Sequence, residues 1–222
     1  MDLLLQPSEL SGVVNVPASK SMAHRAIICA SLCKGIPYVF NVTFSKDIDA
    51  TLSAVKAFGV EYQITENEIA FSGMRPVKEC VVNCCESGST LRFLIPVAAA
   101  LGIRTTFIGQ GRFPERPITP YIRELSQKGI HFDYQNTMPF TIEGQLQSGT
   151  YHLEGDISSQ FVTGLLLALP LLEGDSEIIL TSPLQSKPYA EMTIACMRHF
   201  GVHAEETPQG YHIPGGQSYQ AS

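Results

Sequence analysis

SKSMAHRAIICASLCKG, residues 19–35, opens on two serines around a lysine, continues as an apolar stretch long enough for three to four helical turns, and stops at a glycine. Alone it predicts one amphipathic helix with a serine N-cap and a glycine suited to a left-handed C-cap. The pattern recurs twice, as SGSTLRFLIPVAAALG at 87–102 and SSQFVTGLLLALPLLEG at 158–174. A second landmark keeps the same beat: DATLSAVKAFGV (49–60), PYIRELSQKGI (120–130) and PYAEMTIACMRHFGV (188–202) each read as a helix ending in Gly followed by Val or Ile. Gly35, Gly102 and Gly174 are 67 and 72 apart; Gly59, Gly129 and Gly201 are 70 and 72 apart. Two landmarks on one period make the chain a repeat of about 70 residues, present three times.

Each second helix is followed by an alternating stretch with a central turn, VEYQITENEIAFSG, IHFDYQNTMPFTIEG and VHAEETPQGYHIPGG, which reads as a hairpin. Strands at 37–42 (PYVFNV), 104–109 (RTTFIG) and 176–181 (SEIILT) link the two helices of each unit. One βαβαββ unit cannot bury both of its helices. The expected fold is therefore α/β, with three pseudo-symmetric repeats forming one lobe, helices inside and sheets outside. The lobe is expected over 15–214, with repeats at about 15–80, 81–148 and 149–214, a strand within 1–14 before it and a short segment, 215–222, after it.

Composition agrees with a packed core. Gly and Pro make 32 of 222 residues, hydrophobic residues 44% and charged residues 16%, which excludes collagen-like, low-complexity and disordered classes. Net charge is 15 minus 21, or −6, with no run of like charges, so neither nucleic acid nor an anionic membrane is an expected partner, and any bound anion must meet a local basic pocket. The six cysteines lack metal-ligand spacing; Cys29 and Cys33 share a helical face and read as core, and the adjacent Cys84 and Cys85 suit no disulfide with each other. MDLLLQPSEL carries neither a basic leader nor an apolar span. The thiols are read as reduced and the protein as cytoplasmic.

Threefold symmetry would bring the three serine tips to one end of the lobe. Helix N-termini offer unsatisfied N–H donors and the positive end of the dipole, which suit an anion. For any one tip a cap is the plainer role, since serine is a preferred N-cap. The basic residues shift the balance. Lys20 sits inside the first tip, Arg25 one turn beyond Ser21, and Arg92 one turn beyond Ser89. Cations there oppose the helix dipole, an unfavourable placement unless an anion is held nearby. Arg112 and Arg116, in the punctuated loop GRFPERPITP (111–120), and Ser186, Lys187 and Tyr189, in QSKPY (185–189), add candidates.

In this order and at these separations, PASKSMAHRA, CESGSTLRF, PERPI, ISSQF and QSKPY resemble the enolpyruvyl transferases, most closely the branch acting on shikimate-3-phosphate, and GGQSYQ at 215–220 is similar to the crossover between that family's two domains. The resemblance implies transfer of the carboxyvinyl group of phosphoenolpyruvate to the 5-hydroxyl of shikimate-3-phosphate, giving the enolpyruvyl ether and phosphate through a tetrahedral intermediate, in the route to chorismate and the aromatic amino acids. It implies no metal and no organic cofactor. Carried over, Lys20 touches both substrates; Ser21 and Arg25 hold the shikimate carboxylate; Ser158, Ser159 and Ser186 bind the 3-phosphate; Gln160 and Tyr189 line the ring. Gly88, Arg92 and Arg116 join Lys20 at phosphoenolpyruvate. Glu86 and Ser89 stand where many members carry a neutral amide and a threonine. A carboxylate there opposes phosphoenolpyruvate unless paired, so both are kept as site positions of unassigned role.

Members of that family have two lobes of three repeats each, with the site between them and the acid/base residues, an aspartate and a lysine, in the second. This sequence has three repeats. The expectation is an N-terminal, substrate-binding lobe, inactive alone, with the C-terminal domain as partner and the segment 1–14 joining that domain. Two alternatives are weighed. The UDP-N-acetylglucosamine enolpyruvyl transferases share fold and chemistry, but carry a loop cysteine shortly before the arginine matching Arg116, and no cysteine lies between Cys85 and Cys196. A non-catalytic half-domain binding a phosphorylated ligand is the other.

Overall fold

The computed structural model describes residues 4, 9, 11–75, 77–111 and 118–221. Among them are six α-helices, α1 (Lys20–Ser31), α2 (Lys46–Ala57), α3 (Gly88–Ala100), α4 (Thr119–Ser126), α5 (Ser159–Ala168) and α6 (Lys187–His199). The strands are β1 (Tyr38–Val39), β2 (Val60–Thr65), β3 (Glu68–Met74), β4 (Glu79–Asn83), β5 (Arg104–Ile108), β6 (Ile130–Asp133), β7 (Phe140–Gly144), β8 (Thr150–Leu153), β9 (Ser176–Leu180), β10 (Glu205–Thr207) and β11 (Gly210–Ile213). They form three separate sheets, ordered β1-β3-β2, β4-β5-β7-β6 and β8-β9-β11-β10. The second and third share one plan: a parallel pair, with Glu79 opposite Arg104 and Thr150 opposite Glu177, and antiparallel pairs beyond it. The α/β class read from the repeats is the observed one.

The helices supply the core. Every residue of α5 from Phe161 to Ala168 is buried, as is α3 from Phe93 to Ala100. Gly164 lets these two approach, because a Cβ there would collide with the Tyr121 hydroxyl and the Arg92 carbonyl. Pro96 inside α3 has no N–H to give that carbonyl, four residues back. The Tyr121 hydroxyl, itself buried, donates to it at 2.7 Å. The glycine, the proline and the tyrosine thus solve one packing problem together.

The first unit departs from the other two. Residues 11–19, expected to lead into α1 as a strand, form no ladder, and Val13, Val14 and Val16 are exposed. Of residues 1–10 only Leu4 and Glu9 are described, so most of the strand expected within 1–14 lies outside the described residues. The linking strand expected over 37–42 shrinks to two residues, because Pro37 has no donor to offer and Asn41 turns to φ 56°. Beside it, Lys34 forms an isolated parallel bridge with Gln220, while Tyr219 is buried with its hydroxyl on the Leu167 carbonyl at 2.8 Å. Gly59, Gly102, Gly129 and Gly201 have the positive φ expected of C-terminal glycines. The helix expected to run to Gly174 instead ends at Ala168 and tightens into a 3₁₀ turn, Leu169–Leu171, around Pro170.

Candidate functional site

Each inner helix starts at a serine whose hydroxyl accepts a backbone N–H of the first turn: Ser19 from Met22 at 3.3 Å, Ser87 from Thr90 at 3.2 Å, Ser158 from Gln160 at 3.3 Å. The first serine of each tip is therefore a cap. The next ones, Ser21, Ser89 and Ser159, line a cleft of about 320 Å³ with Arg25, Phe93, Ser158, Gln160 and Tyr189. The structure thus brings residues of α1, α3, α5 and α6 to one place. Ser158 can cap and serve the cleft, because an accepting hydroxyl still has a proton to donate.

Arg25 dominates the electrostatics of this cleft. It is 2% exposed, and its guanidinium makes neutral contacts only: Nε to Thr193 Oγ1 at 2.7 Å, Nη1 to the Ser21 carbonyl at 2.7 Å, and Nη2 to Thr163 Oγ1 at 3.2 Å and the Tyr189 carbonyl at 3.1 Å. The group stands over the Phe93 ring at 5.1 Å and near that of Tyr189 at 5.8 Å. Burial lowers its pKa to about 10, so it is charged at neutral pH. Among the described residues it has no carboxylate partner. A buried cation without a counter-ion is costly, and the bonds above leave an Nη1 donor available. Thr163 and Thr193, buried partners of Arg25, were not singled out in the sequence; Thr193 follows Tyr189 by one turn of α6, a spacing that could have flagged it.

Gln160 is a clamp between helices. Its Oε1 accepts from Arg92 Nη1 at 2.7 Å and its Nε2 donates to Ser89 Oγ at 3.1 Å, tying α5 to α3. The Arg92 guanidinium lies over the Phe161 ring at 4.9 Å. The remaining candidates spread outward. Lys20, exposed at the rim, is paired with Asp47 of α2 at 2.7 Å. Asp47 is a residue the sequence reading passed over, because an acid in the first turn of α2 already has a local role against the dipole. Gly88 opens α3, and Ser186 precedes α6 in a left-handed conformation, φ 62°, exposed and without a capping bond. Glu86 is exposed and lines a separate cleft of about 430 Å³ with Lys46, Asp47, Asp49, Asn83 and Gln110. Arg112 and Arg116 lie outside the described residues.

A chain of buried side chains joins α1, α2 and the start of α3: His24 Nδ1 with Thr51 Oγ1 at 2.8 Å, Thr51 with Thr90 Oγ1 at 2.7 Å, and Thr90 Oγ1 donating to Ser87 Oγ at 2.7 Å. Burial lowers the His24 pKa to about 4, so it is neutral at pH 7. A larger cavity, about 490 Å³, lies between β9, the start of α6 and β11, but Lys187 at its wall is already paired with Glu206 at 2.7 Å. The smaller cleft, with its unpaired charge, is the better candidate. No cluster of three or more His, Cys, Asp or Glu placed to hold a metal occurs among the described residues, and none of their helices is long and apolar enough to cross a membrane.

An α/β lobe of repeated units, with hydroxyls of three helix starts gathered around a buried arginine that has no carboxylate partner among the described residues, is the class of protein these features define. Residues 4–222 match the family described as EPSP synthase (3-phosphoshikimate 1-carboxyvinyltransferase), and the chain belongs to it. The 3-phosphoshikimate 1-carboxyvinyltransferase of Clostridium kluyveri is 46% identical over 220 residues, 97% of this chain and 52% of that protein. The protein of the same name from Clostridioides difficile strain 630 is 40% identical over 234 residues, 99% of this chain and 53% of its own length. EPSP synthase of Acinetobacter baumannii superposes with a TM-score of 0.81 at 23% identity, over 95% of this chain and 48% of that one, a likeness of fold. The chain spans about half the length of the curated relatives it matches.

Proposed function

We propose that this lobe binds shikimate-3-phosphate for an enolpyruvyl transfer in which phosphoenolpyruvate gives its carboxyvinyl group to the 5-hydroxyl and phosphate leaves. The observation that carries the reading is Arg25, charged, buried and, among the described residues, without an acid, at the floor of a cleft rimmed by serine hydroxyls. Its remaining Nη1 donor and Ser21 suit the shikimate carboxylate. Ser158 and Ser159, at the start of α5, present hydroxyls and the positive end of a helix to the 3-phosphate, with Ser186 reaching in from α6. Gln160 and Tyr189 border the ring. Lys20, Gly88, Arg92 and Arg116 serve phosphoenolpyruvate, with Asp47 positioning the Lys20 ammonium.

The proton transfers at the vinyl carbon and the 5-hydroxyl need an acid and a base facing this cleft. General acid–base catalysis contributes about 10²- to 10⁴-fold, and electrostatic stabilisation more. Among the described residues lining the cleft none is a carboxylate or a lysine, which supports a second domain of the same enzyme as the partner that completes the site. The same reading places the enzyme in the cytoplasm, in keeping with the six free thiols. Calorimetry with shikimate-3-phosphate, shikimate and inorganic phosphate tests it. Binding of the phosphorylated acid above either fragment, lost in Arg25→Ala, is expected, with no turnover by this chain alone. Absence of binding overturns the substrate, and turnover by the isolated chain overturns the half-site.

A further inference from the structure

The repeat sets three different side chains at one level of the helix bundle. Arg25, Phe93 and Thr163 each stand four residues beyond a serine that lines the cleft, Ser21, Ser89 and Ser159, and so one turn further along α1, α3 and α5. They meet there: the Arg25 guanidinium stands over the Phe93 ring at 5.1 Å, and its Nη2 donates to Thr163 Oγ1 at 3.2 Å. Thr193 of α6 joins them, accepting from Nε at 2.7 Å, and both threonines are fully buried. Partners fix the hydroxyl protons. The Tyr189 carbonyl can only accept, so the single Thr193 proton goes to it, at 2.8 Å, the bond a helical threonine makes one turn back. Thr193 Oγ1 therefore accepts from Thr163 Oγ1 at 3.2 Å, and Thr163 Oγ1 accepts from Nη2. The second Nη2 proton goes to the Tyr189 carbonyl and one Nη1 proton to the Ser21 carbonyl. Of the five guanidinium N–H groups, the one left is on Nη1.

From this network we infer that Thr163 and Thr193 are positioning residues, which order the Arg25 guanidinium so that a single Nη1–H beside Ser21 serves an acid in the cleft. A two-pronged grip on a carboxylate needs two parallel N–H groups, and each such pair on this guanidinium includes one already engaged. The acid is therefore held by one charged hydrogen bond, with the Ser21 hydroxyl as the candidate for a second. Threonine suits this task for an electrostatic reason. A carboxylate at either position would hold Arg25 as firmly and cancel its charge; a hydroxyl accepts the N–H and leaves the charge to the ligand. Thr193→Val keeps the branched shape, strands the buried Nε proton without an acceptor and frees the group to turn. That the acid is the shikimate carboxylate rests on the proposed function; the ordering of Arg25 does not.

The test begins without a ligand, by NMR on the native chain labelled with nitrogen-15. The Arg25 Nε–H, assigned through bonds to its own backbone, should exchange with water far more slowly than that of the exposed Arg75. Thr193→Val should lose this protection and Thr193→Ser keep it. A native Arg25 signal that exchanges like that of Arg75 overturns the ordering, and that measurement needs no variant to fold. Calorimetry reads the consequence. Thr193→Val and Thr163→Val should each weaken shikimate and shikimate-3-phosphate binding about tenfold, because a charged group turned from its ligand forfeits the bond. Inorganic phosphate should bind both variants as it binds the native chain, and Thr193→Ser should return the native affinities. Loss of all three ligands together, as general damage to the lobe would give, or unchanged affinities in both valine variants, overturns the positioning role. A protected Nε–H in a native chain that binds no shikimate-3-phosphate keeps the ordering and overturns the proposed function instead.

Discussion

The cleft around Arg25 and the neighbouring cleft around Glu86 sit at the same end of the helices and are built on opposite plans. The first is roofed by neutral hydroxyls and amides over a cation that has no acid beside it among the described residues. The second gathers Asp47, Asp49 and Glu86 around Lys46, with Lys20 on its border held by Asp47. One is ready for an anion as it stands; the other repels one until further positive charge arrives. On the proposed reading the first cleft offers the shikimate-3-phosphate face, while the phosphoenolpyruvate face needs further positive charge, for which Arg112 and Arg116 of the loop 111–120 in the same lobe, and a second domain, are the proposed sources.

Removing the charge that separates the two clefts should have the largest effect. Arg25→Ala is expected to weaken shikimate-3-phosphate binding by about 10²-fold or more, since truncating one partner of a buried charge contact costs about 2–5 kcal/mol. Calorimetry reads it, and an unchanged affinity would equate the clefts.

Acid comes next, through the buried chain that joins α1, α2 and α3. Folded His24 takes its proton only near pH 4, against 6.5 when unfolded, so between these values the unfolded chain binds more protons and stability falls with pH. Acidification from pH 7 to 4 should remove about 3 kcal/mol through this one group. Urea unfolding of His24→Asn, which keeps a partner for Thr51, should show a correspondingly shallower loss than the native chain; parallel curves would assign the acid sensitivity to other groups.

Tyr121→Phe strands the Arg92 carbonyl that Pro96 leaves unbonded, and should cost about 1–3 kcal/mol in the same assay. Loosening this α3–α5 seam should harm the first cleft, which both helices line, more than the second.

The smallest effect is expected at Glu86, exposed in the acidic cleft. Glu86→Gln should strengthen phosphoenolpyruvate binding a few-fold at low salt, less at high salt, and leave shikimate-3-phosphate binding unchanged. Equal gains for both ligands would mean that the clefts are not electrostatically distinct.

Much of this was legible in the chain itself. A period near 70 residues, marked by serines, glycines and helix-length apolar runs, predicts the α/β repeat, because each βαβαββ unit leaves apolar helix faces that only other units can cover. The serine tips and Arg25 were legible for a local reason: caps, dipoles and one-turn spacings are properties of neighbouring residues. Tertiary structure alone decided which serine of each tip caps and which faces the cleft, that Gln160 joins Arg92 to Ser89, that Lys20 turns to Asp47, and that residues 11–19 stay outside the first sheet. These are outcomes of contacts between residues 27 to 71 positions apart, or of a sheet edge without a partner, and no local pattern encodes either. The charge of Arg25 could be read from its letter. That it is buried with hydroxyls in place of acids depends on Thr163 and Thr193, 138 and 168 residues away, reaching it through the packing of α5 and α6.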